Sequence, residues 1–148
     1  MREVSCKDIS NAVEKLCIDA NKELPESVSS WIYNACKAEE KGIAKSIMND
    51  INENISAAKE LDIPICQDTG MAIIFLEIGQ DVHIIEGSLE DAVNKGVASG
   101  YTNGLLRKSI VKDPLDRVNT EDNTPAIIHT KIIDGDKIKI TVDRKSVV

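Results

Sequence analysis

A short loop between residues 63 and 70 gathers the side chains best suited to chemistry. Cys66, Gln67 and Asp68 follow one another directly, and Gly70 ends the segment with a residue free to take a positive φ. A thiolate at Cys66 could bind a metal or a cluster, or act as a nucleophile. The adjacent carboxylate could move a proton, and the amide could hydrogen-bond a substrate oxygen. A capped turn with a buried cysteine is the alternative on these grounds.

A nucleophilic cysteine needs a base, and the chain offers two histidines, His83 and His129. Both fall within predicted strands, where we expect half-buried structural positions. Either histidine could serve Cys66 only if the fold happened to bring the two side chains together.

The other three cysteines do not form a recognisable metal site. Cys6, Cys17 and Cys36 are not spaced as C-x-x-C pairs, and both histidines are distant in sequence, which excludes a zinc finger. Cys17 and Cys36 fall on apolar helix faces, so we expect them to be small buried hydrophobic side chains. Because the N-terminus lacks the apolar region of a secretion signal, disulfide bonds are not expected.

The elements that must position the loop begin with helices. Apolar residues recur at i, i+3, i+4 and i+7 over residues 9–24, 26–41 and 43–60. Such spacing predicts three amphipathic helices, each of which buries one stripe of side chains.

After residue 60 the pattern changes to that of strands. Residues 71–78 are almost continuously apolar, which predicts a buried strand, and residues 82–86 form its predicted hairpin partner. Ser88 begins a capping box, which predicts a helix to about residue 101. Residues 126–133 and 137–142 predict a second hairpin.

The predicted fold class is therefore α+β, with an N-terminal three-helix segment followed by a mainly antiparallel sheet of two hairpins with an intervening helix. We expect a helical part over 5–60, a sheet-containing part over 61–142 and a tail over 143–148. The polar connection over 105–125 is long for a compact domain, and connections of that length are usually functional or disordered.

Composition excludes several classes of protein. The 148 residues include 18 Lys and Arg against 25 Asp and Glu, for a net charge of −7. An acidic surface repels phosphates, so nucleic acid is not an expected partner. No apolar run approaches the roughly 18 residues of a membrane span, and we expect a cytoplasmic protein with no membrane partner.

Several motifs, in the same order along the chain, resemble one known family. Residues 64–70 read P-I-C-Q-D-T-G and resemble the P-x-C-Q-D-T-G signature of iron–sulfur hydro-lyases, the family of class I fumarate hydratases and L-tartrate dehydratases. Residues 106–109, L-R-K-S, are similar to its L-R-x-S segment. Residues 119–125, N-T-E-D-N-T-P, are similar to its N-T-x-x-N-x-P loop. The resemblance covers roughly residues 5–142 and looks like the alpha subunit of the two-subunit form.

This resemblance implies a reversible hydration of fumarate to malate, with L-tartrate dehydration as the alternative. Family members hold a [4Fe–4S] cluster on three cysteines, and the open iron acts as a Lewis acid. By the motif match, Cys66 is one cluster ligand, and Gln67 and Asp68 face a small dicarboxylate substrate. Asp68 is the candidate for handling the hydroxyl or water proton.

The same match assigns Arg107 to a substrate carboxylate, which its fork of donors would grip. The alternative for Arg107 is a solvated surface side chain. The 119–125 loop either shapes the site or is purely structural.

Beyond the last predicted strand the resemblance ends. Family members continue into a K-G-x-G-S-E-N loop, whereas residues 143–148 read D-R-K-S-V-V. The two other cluster cysteines belong to that missing portion, and the beta subunit supplies further catalytic groups. We therefore expect an N-terminal fragment of an alpha subunit that works in an oligomer and is inactive alone. The alternatives are a non-catalytic assembly or dimerisation module and a thiol or mononuclear metal enzyme.

The shortage of cysteine ligands gives a direct prediction. Because one cysteine cannot hold a cluster that needs three, anaerobic reconstitution of the 148-residue chain with iron and sulfide should leave it without a stoichiometric cluster. Bound iron and visible absorbance measure the outcome. Four irons per chain with a cluster spectrum would contradict the expectation of a fragment.

Overall fold

The computed structural model describes residues 1–145, except for the side chain of Lys145. Half of the tail set apart above, residues 146–148, lies outside the described residues. The helices and strands follow in this order: β1 (Arg2–Ser5), α1 (Cys6–Lys22), α2 (Glu26–Ala38), α3 (Gly42–Leu61), β2 (Met71–Gly79), β3 (Val82–Ile85), α4 (Leu89–Asn103), β4 (Ile127–Ile133) and β5 (Ile138–Lys145). The chain divides into two compact units, one of residues 1–20 with the chain from residue 67 onward, and one of residues 21–66.

The predicted α+β class is confirmed, with helices first and most strands after them. The three N-terminal helices have nearly the predicted bounds, and α2 begins directly after Pro25, which suits the start of a helix. The Ser88 hydroxyl caps α4 by accepting a hydrogen bond from the Asp91 amide at 3.4 Å. Within residues 1–145, no helix is long and apolar enough to cross a membrane.

The predicted pairing of the strands is wrong, because neither expected hairpin forms. The three-stranded sheet has the order β4-β2-β5, so β2 lies between the two strands that were expected to pair with each other. β2 runs parallel to β4, with Ile73 opposite Ile127, and antiparallel to β5, with Ile74 opposite Val142. The sheet is therefore mixed rather than mainly antiparallel.

The burial of β2 explains its central place. Ala72, Ile74, Leu76 and Ile78 are all buried on one face of the strand. A strand this apolar is stabilised most when it has neighbours on both edges. β5 alternates charged and apolar residues and takes an edge position. At the end of β2, a Cβ on Gly79 would overlap the Gly135 backbone. Glycine at position 79 therefore permits the close approach between the turn after β2 and the turn that joins β4 to β5.

β3 pairs with an element that the sequence did not reveal. The first strand, β1, runs parallel to β3, with Arg2 opposite Val82 and Ser5 opposite Ile85. β1 has only four residues, and its first two are exposed, so it carries almost no alternating pattern. The expected turn at residues 79–81 therefore connects two different sheets instead of closing a hairpin.

The outer face of the three-stranded sheet is open to solvent. The Phe75 ring stacks on His129 with centroids 5.1 Å apart, and Phe75 is 41% exposed. On the same face, the Lys139 ammonium lies 2.9 Å from Glu77 and, as hydrogen-bond donor and neighbouring charge, lowers the pKa of that carboxyl. His129 and His83 are both exposed, so the expectation of half-buried histidines is wrong.

The core of the first unit lies between β2 and helices α1 and α4. Its buried apolar side chains form one cluster: Cys6, Ile9, Val13 and Cys17 from α1, Ala92, Val93, Val97 and Tyr101 from α4, and the inner residues of β2 with Leu106. Gly96 lets the two helices approach, because a Cβ there would lie 2.5 Å from the Ser10 carbonyl oxygen and 2.7 Å from the Val13 Cβ.

The second unit is a helical hairpin. α2 and α3 are joined by residues 39–41, and they bury Cys36 and Ala58. α3 ends at Leu61 and is capped by Asp62, which adopts the left-handed conformation. The Asp62 carboxylate lies 2.8 Å from the Lys22 ammonium. Several large apolar side chains of this unit are exposed, including Trp31 at 68% and Ile43 at 83%.

The close helix packing at Gly96 predicts the effect of a single methyl group. Gly96→Ala should lower the free energy of unfolding by about 1–3 kcal/mol, because overpacking outweighs alanine's better helix propensity. Gly42→Ala is the matched control, since a Cβ there meets nothing within 4 Å, and it should be neutral or stabilising by up to about 1 kcal/mol. Urea unfolding of both variants measures the difference. Equal stabilities would show that the helices can separate without cost.

Candidate active site

Two residues singled out from separate motifs line one cavity. Asp68 follows the cysteine of the 64–70 loop, and Arg107 lies beyond the end of α4. The cavity has a volume of about 430 Å³ and is lined by Asp68, Gly70, Met71, Arg107, Ser109, Ile110 and Val111. A carboxylate and a guanidinium therefore face a space that can hold a small polar molecule.

The Asp68 side chain is held by the turn that follows it. Asp68 is half-buried, and its Oδ1 accepts a hydrogen bond from the Gly70 amide at 3.3 Å. Gly70 has a φ of +63°, a conformation that side-chain-bearing residues rarely adopt. The glycine thus lets the chain double back from the turn into β2, and the turn leaves Asp68 at the cavity wall.

Two hydroxyl groups link this turn to neighbouring segments. The Thr69 hydroxyl, almost fully buried, donates to the Arg107 carbonyl at 2.8 Å. The Tyr101 hydroxyl, at the end of α4, lies 3.1 Å from the carbonyl oxygens of both Thr69 and Gly70. Buried carbonyls need such donors, because leaving them unpaired costs about 1–3 kcal/mol each.

A third link comes from Asn123, which is fully buried inside the long polar connection. Its Oδ1 accepts from the amides of Ser109 at 2.7 Å and Ile110 at 3.2 Å, and its Nδ2 donates to the Gly70 carbonyl at 3.2 Å. One side chain thus joins the segment that carries Asp68 to the segment that carries Arg107. The connection over residues 105–125 lines the cavity through Arg107, Ser109, Ile110 and Val111 and so shapes it.

Hydrogen bonds within that connection also favour ionised carboxylates. Burial opposes the charge of Asp122, but hydrogen bonds from the Thr124 amide at 3.0 Å, the Thr124 hydroxyl at 2.8 Å and the Thr120 side chain together with the Asp122 amide outweigh burial and lower the Asp122 pKa. Amides of Asp116 and Leu115 likewise lower the pKa of Asp113. These carboxylates therefore act as turn caps at neutral pH.

Arg144 reaches the same turn from the sheet. Its Nε donates to the Ala20 carbonyl at 3.0 Å, and its Nη1 lies 3.4 Å from the Asp68 carbonyl oxygen. Ile138, Ile140 and Val142 precede it on the same face of β5, so Arg144 continues the inward-facing row. The sequence assigned this residue to the tail beyond the resemblance, and its role in supporting the Asp68 turn was missed.

The remaining predicted site residues lie elsewhere. Gln67 is exposed and is not among the residues that line the cavity. Cys66 is an exposed free thiol at the end of the second unit. Cys6, Cys17 and Cys36 are buried and form no disulfide bond, and burial raises the pKa of Cys17 to about 12, so that thiol is inert at neutral pH.

The described residues do not themselves provide a metal or cluster site. Over residues 1–145, no three His, Cys, Asp or Glu side chains come together as metal ligands would. A three-cysteine cluster therefore does not fit the described residues, which supply one exposed thiol at Cys66.

Comparison with known proteins connects this geometry to a family. A family model described as fumarate hydratase (fumerase) matches residues 10–147, which is nearly the whole chain. The chain belongs to the fumarate hydratase family. The resemblance inferred from the sequence motifs is therefore confirmed, and the cavity between Asp68 and Arg107 is a feature of a fumarate hydratase family member.

Relatives within this family carry two kinds of name. A protein of Methanocaldococcus jannaschii, provisionally named as an L(+)-tartrate dehydratase subunit alpha, is 35% identical over 116 residues, which cover 78% of this chain and 40% of the relative. The L(+)-tartrate dehydratase subunit alpha of Escherichia coli strain UTI89 is 28% identical over 123 residues, covering 80% of this chain and 40% of the relative.

A Geobacillus stearothermophilus protein, provisionally named as a class I fumarate hydratase, is 30% identical over 110 residues. These residues cover 74% of this chain and 21% of the relative. The chain thus spans less than half the length of each of these curated relatives.

The family motifs gave the positions of Asp68 and Arg107 but not the links between them. Thr69 and Asn123 lie inside quoted motifs, so their positions were visible, but their hydrogen-bond partners lie 38 and 53 residues away. Tyr101 had only one signal, a large polar-tipped side chain on the last turn of an apolar helix face. Such residues usually find a partner when buried.

The buried amide gives a prediction about stability. Asn123→Gly removes three hydrogen bonds without backbone strain, because Asn123 has a φ of +63°, and it should lower the free energy of unfolding by about 2–4 kcal/mol. Asn119→Gly is the matched control, since Asn119 is exposed but hydrogen-bonds to Lys108 and Glu121 in the same connection.

Water can replace those exposed bonds, so the control should lose less than about 1 kcal/mol beyond the ordinary cost of glycine. Urea unfolding with unchanged slope measures both losses. Equal losses would show that Asn123 is no more important than any loop asparagine.

Proposed function

We propose that this chain acts within an iron–sulfur hydro-lyase that interconverts fumarate and malate. The observation that carries the proposal is the shared cavity of Asp68 and Arg107 in a chain of the fumarate hydratase family. A dicarboxylate substrate needs a cation for one carboxylate and a proton carrier near the reacting carbons, and the cavity offers one of each.

In this proposal Arg107 binds and orients the substrate. Its guanidinium presents parallel donors that match the two oxygens of a carboxylate. Because Arg107 sits beside apolar wall residues such as Ile110, a bound substrate would displace water there, which would strengthen that contact. Gln67, though outside the cavity lining, would add a hydrogen bond to a substrate oxygen.

Asp68 handles the proton that hydration and dehydration must move. In hydration, a hydroxyl adds to one alkene carbon and a proton adds to its neighbour; dehydration reverses both changes. Asp68 is held by the Gly70 amide through one oxygen, so its orientation is set before substrate arrives. The Asp68 carboxylate accepts a proton from the attacking water, or returns one to the leaving hydroxide.

We propose Cys66 as one ligand of the [4Fe–4S] cluster of the complete enzyme, which would supply Lewis acidity towards the substrate hydroxyl. The described residues provide one exposed thiol, so in this proposal the remaining ligands come from other parts of the complete enzyme, and the 148-residue chain alone would be inactive and hold no cluster. Two of its relatives are named as alpha subunits, which supports a beta subunit as partner within an oligomer. We propose a cytoplasmic location, where an exposed thiol such as that of Cys66 stays reduced.

A second candidate substrate is L-tartrate. Relatives that are 28% and 35% identical to this chain are named L(+)-tartrate dehydratase subunit alpha. Tartrate carries two carboxylates, as malate does, so the same pair of Asp68 and Arg107 would serve. Malate and tartrate differ in one hydroxyl group, and only a direct assay distinguishes the two as substrates.

The proposal predicts the effect of a single carboxyl change. In the complete enzyme, prepared without oxygen, Asp68→Asn should lower kcat for fumarate hydration by about 10²- to 10⁴-fold, because it removes the proton carrier. Asp116→Asn, an exposed change in the 105–125 connection, is the matched control and should keep wild-type kcat.

Assays with fumarate and with L-tartrate measure both variants and identify the substrate. Activity with L-tartrate alone would support the second candidate. A folded Asp68→Asn enzyme with wild-type kcat would exclude the assigned role of Asp68, and a wild-type enzyme inactive on both substrates would exclude the proposed function.

A further inference from the structure

Thr69 links Asp68 and Arg107, the two residues on which the proposed function depends. It follows Asp68 in the chain, and its hydroxyl donates to the carbonyl of Arg107 itself at 2.8 Å. Thr69 is only 1% exposed, so its hydroxyl has little access to water as an alternative partner. The residue next to the proton carrier is thereby tied to the backbone of the carboxylate-binding residue.

We propose that the Thr69 hydroxyl is a positioning group that fixes the distance between Asp68 and Arg107 across the cavity. The inference rests on the proposed function, because it concerns how one dicarboxylate meets both side chains. Thr69 lines neither wall of the cavity, so it acts through Arg107 and does not touch substrate.

The hydrogen bonds of Tyr101 and Asn123 described above end on groups other than Arg107. Tyr101 bonds the carbonyls of Thr69 and Gly70, and Asn123 bonds Gly70 to the amides of Ser109 and Ile110. Tyr101 therefore secures the turn, and Asn123 ties the turn to the segment that follows Arg107. The Thr69 bond ends on Arg107, whose guanidinium position depends on the placement of that backbone.

The geometry of threonine suits a fixed link. A β-branched side chain has few χ1 rotamers, so the backbone of the turn largely sets the direction of the hydroxyl. Burial prevents the side chain from choosing another rotamer with a water partner. Arg107 is exposed at its side chain, and a long exposed side chain depends on its backbone anchor for precision.

The test separates the hydroxyl from the shape of the side chain. In the complete enzyme, Thr69→Val keeps the shape and removes the donor, and it should raise KM for the dicarboxylate about tenfold with a smaller change in kcat. Thr69→Ser keeps the donor and should recover most of the wild-type KM. Thr141→Val, an exposed change on β5, is the matched control and should leave KM unchanged.

A double-mutant cycle shows whether Thr69 acts through Arg107. Arg107→Lys alone should raise KM, because it loses the paired donors. In that background Thr69→Val should add less than about a twofold further increase, since the group it positions is gone. A full tenfold further increase, or a Thr69→Val enzyme with wild-type KM, would overturn the positioning role while leaving the proposed function intact.

A measurement independent of activity uses the isotope-labelled 148-residue chain. The ¹³C resonance of the Arg107 carbonyl should move in Thr69→Val, which lacks the donor, and stay near its wild-type position in Thr69→Ser. An unmoved resonance in Thr69→Val would overturn the positioning role whatever the kinetics show. A moved resonance with a wild-type enzyme inactive on both substrates would overturn the proposed function and the binding role together.

Discussion

Buried peptide groups must find hydrogen-bond partners, and this requirement organises the candidate site. The 69–70 turn, the 107–110 segment and the long connection before β4 come together around buried and half-buried carbonyls and amides. Three side chains from three separate segments meet the need: Thr69, Tyr101 and Asn123. Without them the two candidate site residues, Asp68 and Arg107, would lie on loops with fewer bonds between them.

The core supplies the rigid frame on which this network depends. β2 leads directly out of the turn and is buried against α1 and α4, while α4 carries Tyr101 at its last full turn. Gly96 permits the close packing of α1 and α4, and α4 in turn positions the Tyr101 hydroxyl at the turn. Packing therefore places the hydrogen-bond donors, and the donors place the cavity.

Much of this arrangement could be read from the sequence, and the part that could not is non-local. Helical periodicity and turn residues are local signals, so the helices and most strands were predicted at nearly their true bounds. Strand partners depend on pairings across many residues, and β4 and β5 look like a hairpin until β2 is placed between them. β1 could not be predicted, because its four residues are too few to show the alternating pattern of a strand.

The site divides in the same way. Motif resemblance located Asp68 and Arg107, and the structure brings them to one cavity. The supporting side chains were recognisable only as polar residues in motifs, since burial and partners are properties of the fold. Arg144 was set aside with the unmatched tail, although its place after Ile138, Ile140 and Val142 on an alternating strand marks it as inward-facing.

The central position of β2 also affects how the chain folds during its synthesis on the ribosome. Ile73 pairs with Ile127, about 50 residues later, and β5 follows later still. At ordinary rates of synthesis, β2 waits roughly 3–10 seconds before either neighbour exists. During that interval an apolar strand has two unpaired edges, which are templates for association with other nascent chains. Helices α1 and α4 are both synthesised before β4, so they can cover the inner face of β2. Its edges stay unpaired until β4 and β5 are synthesised.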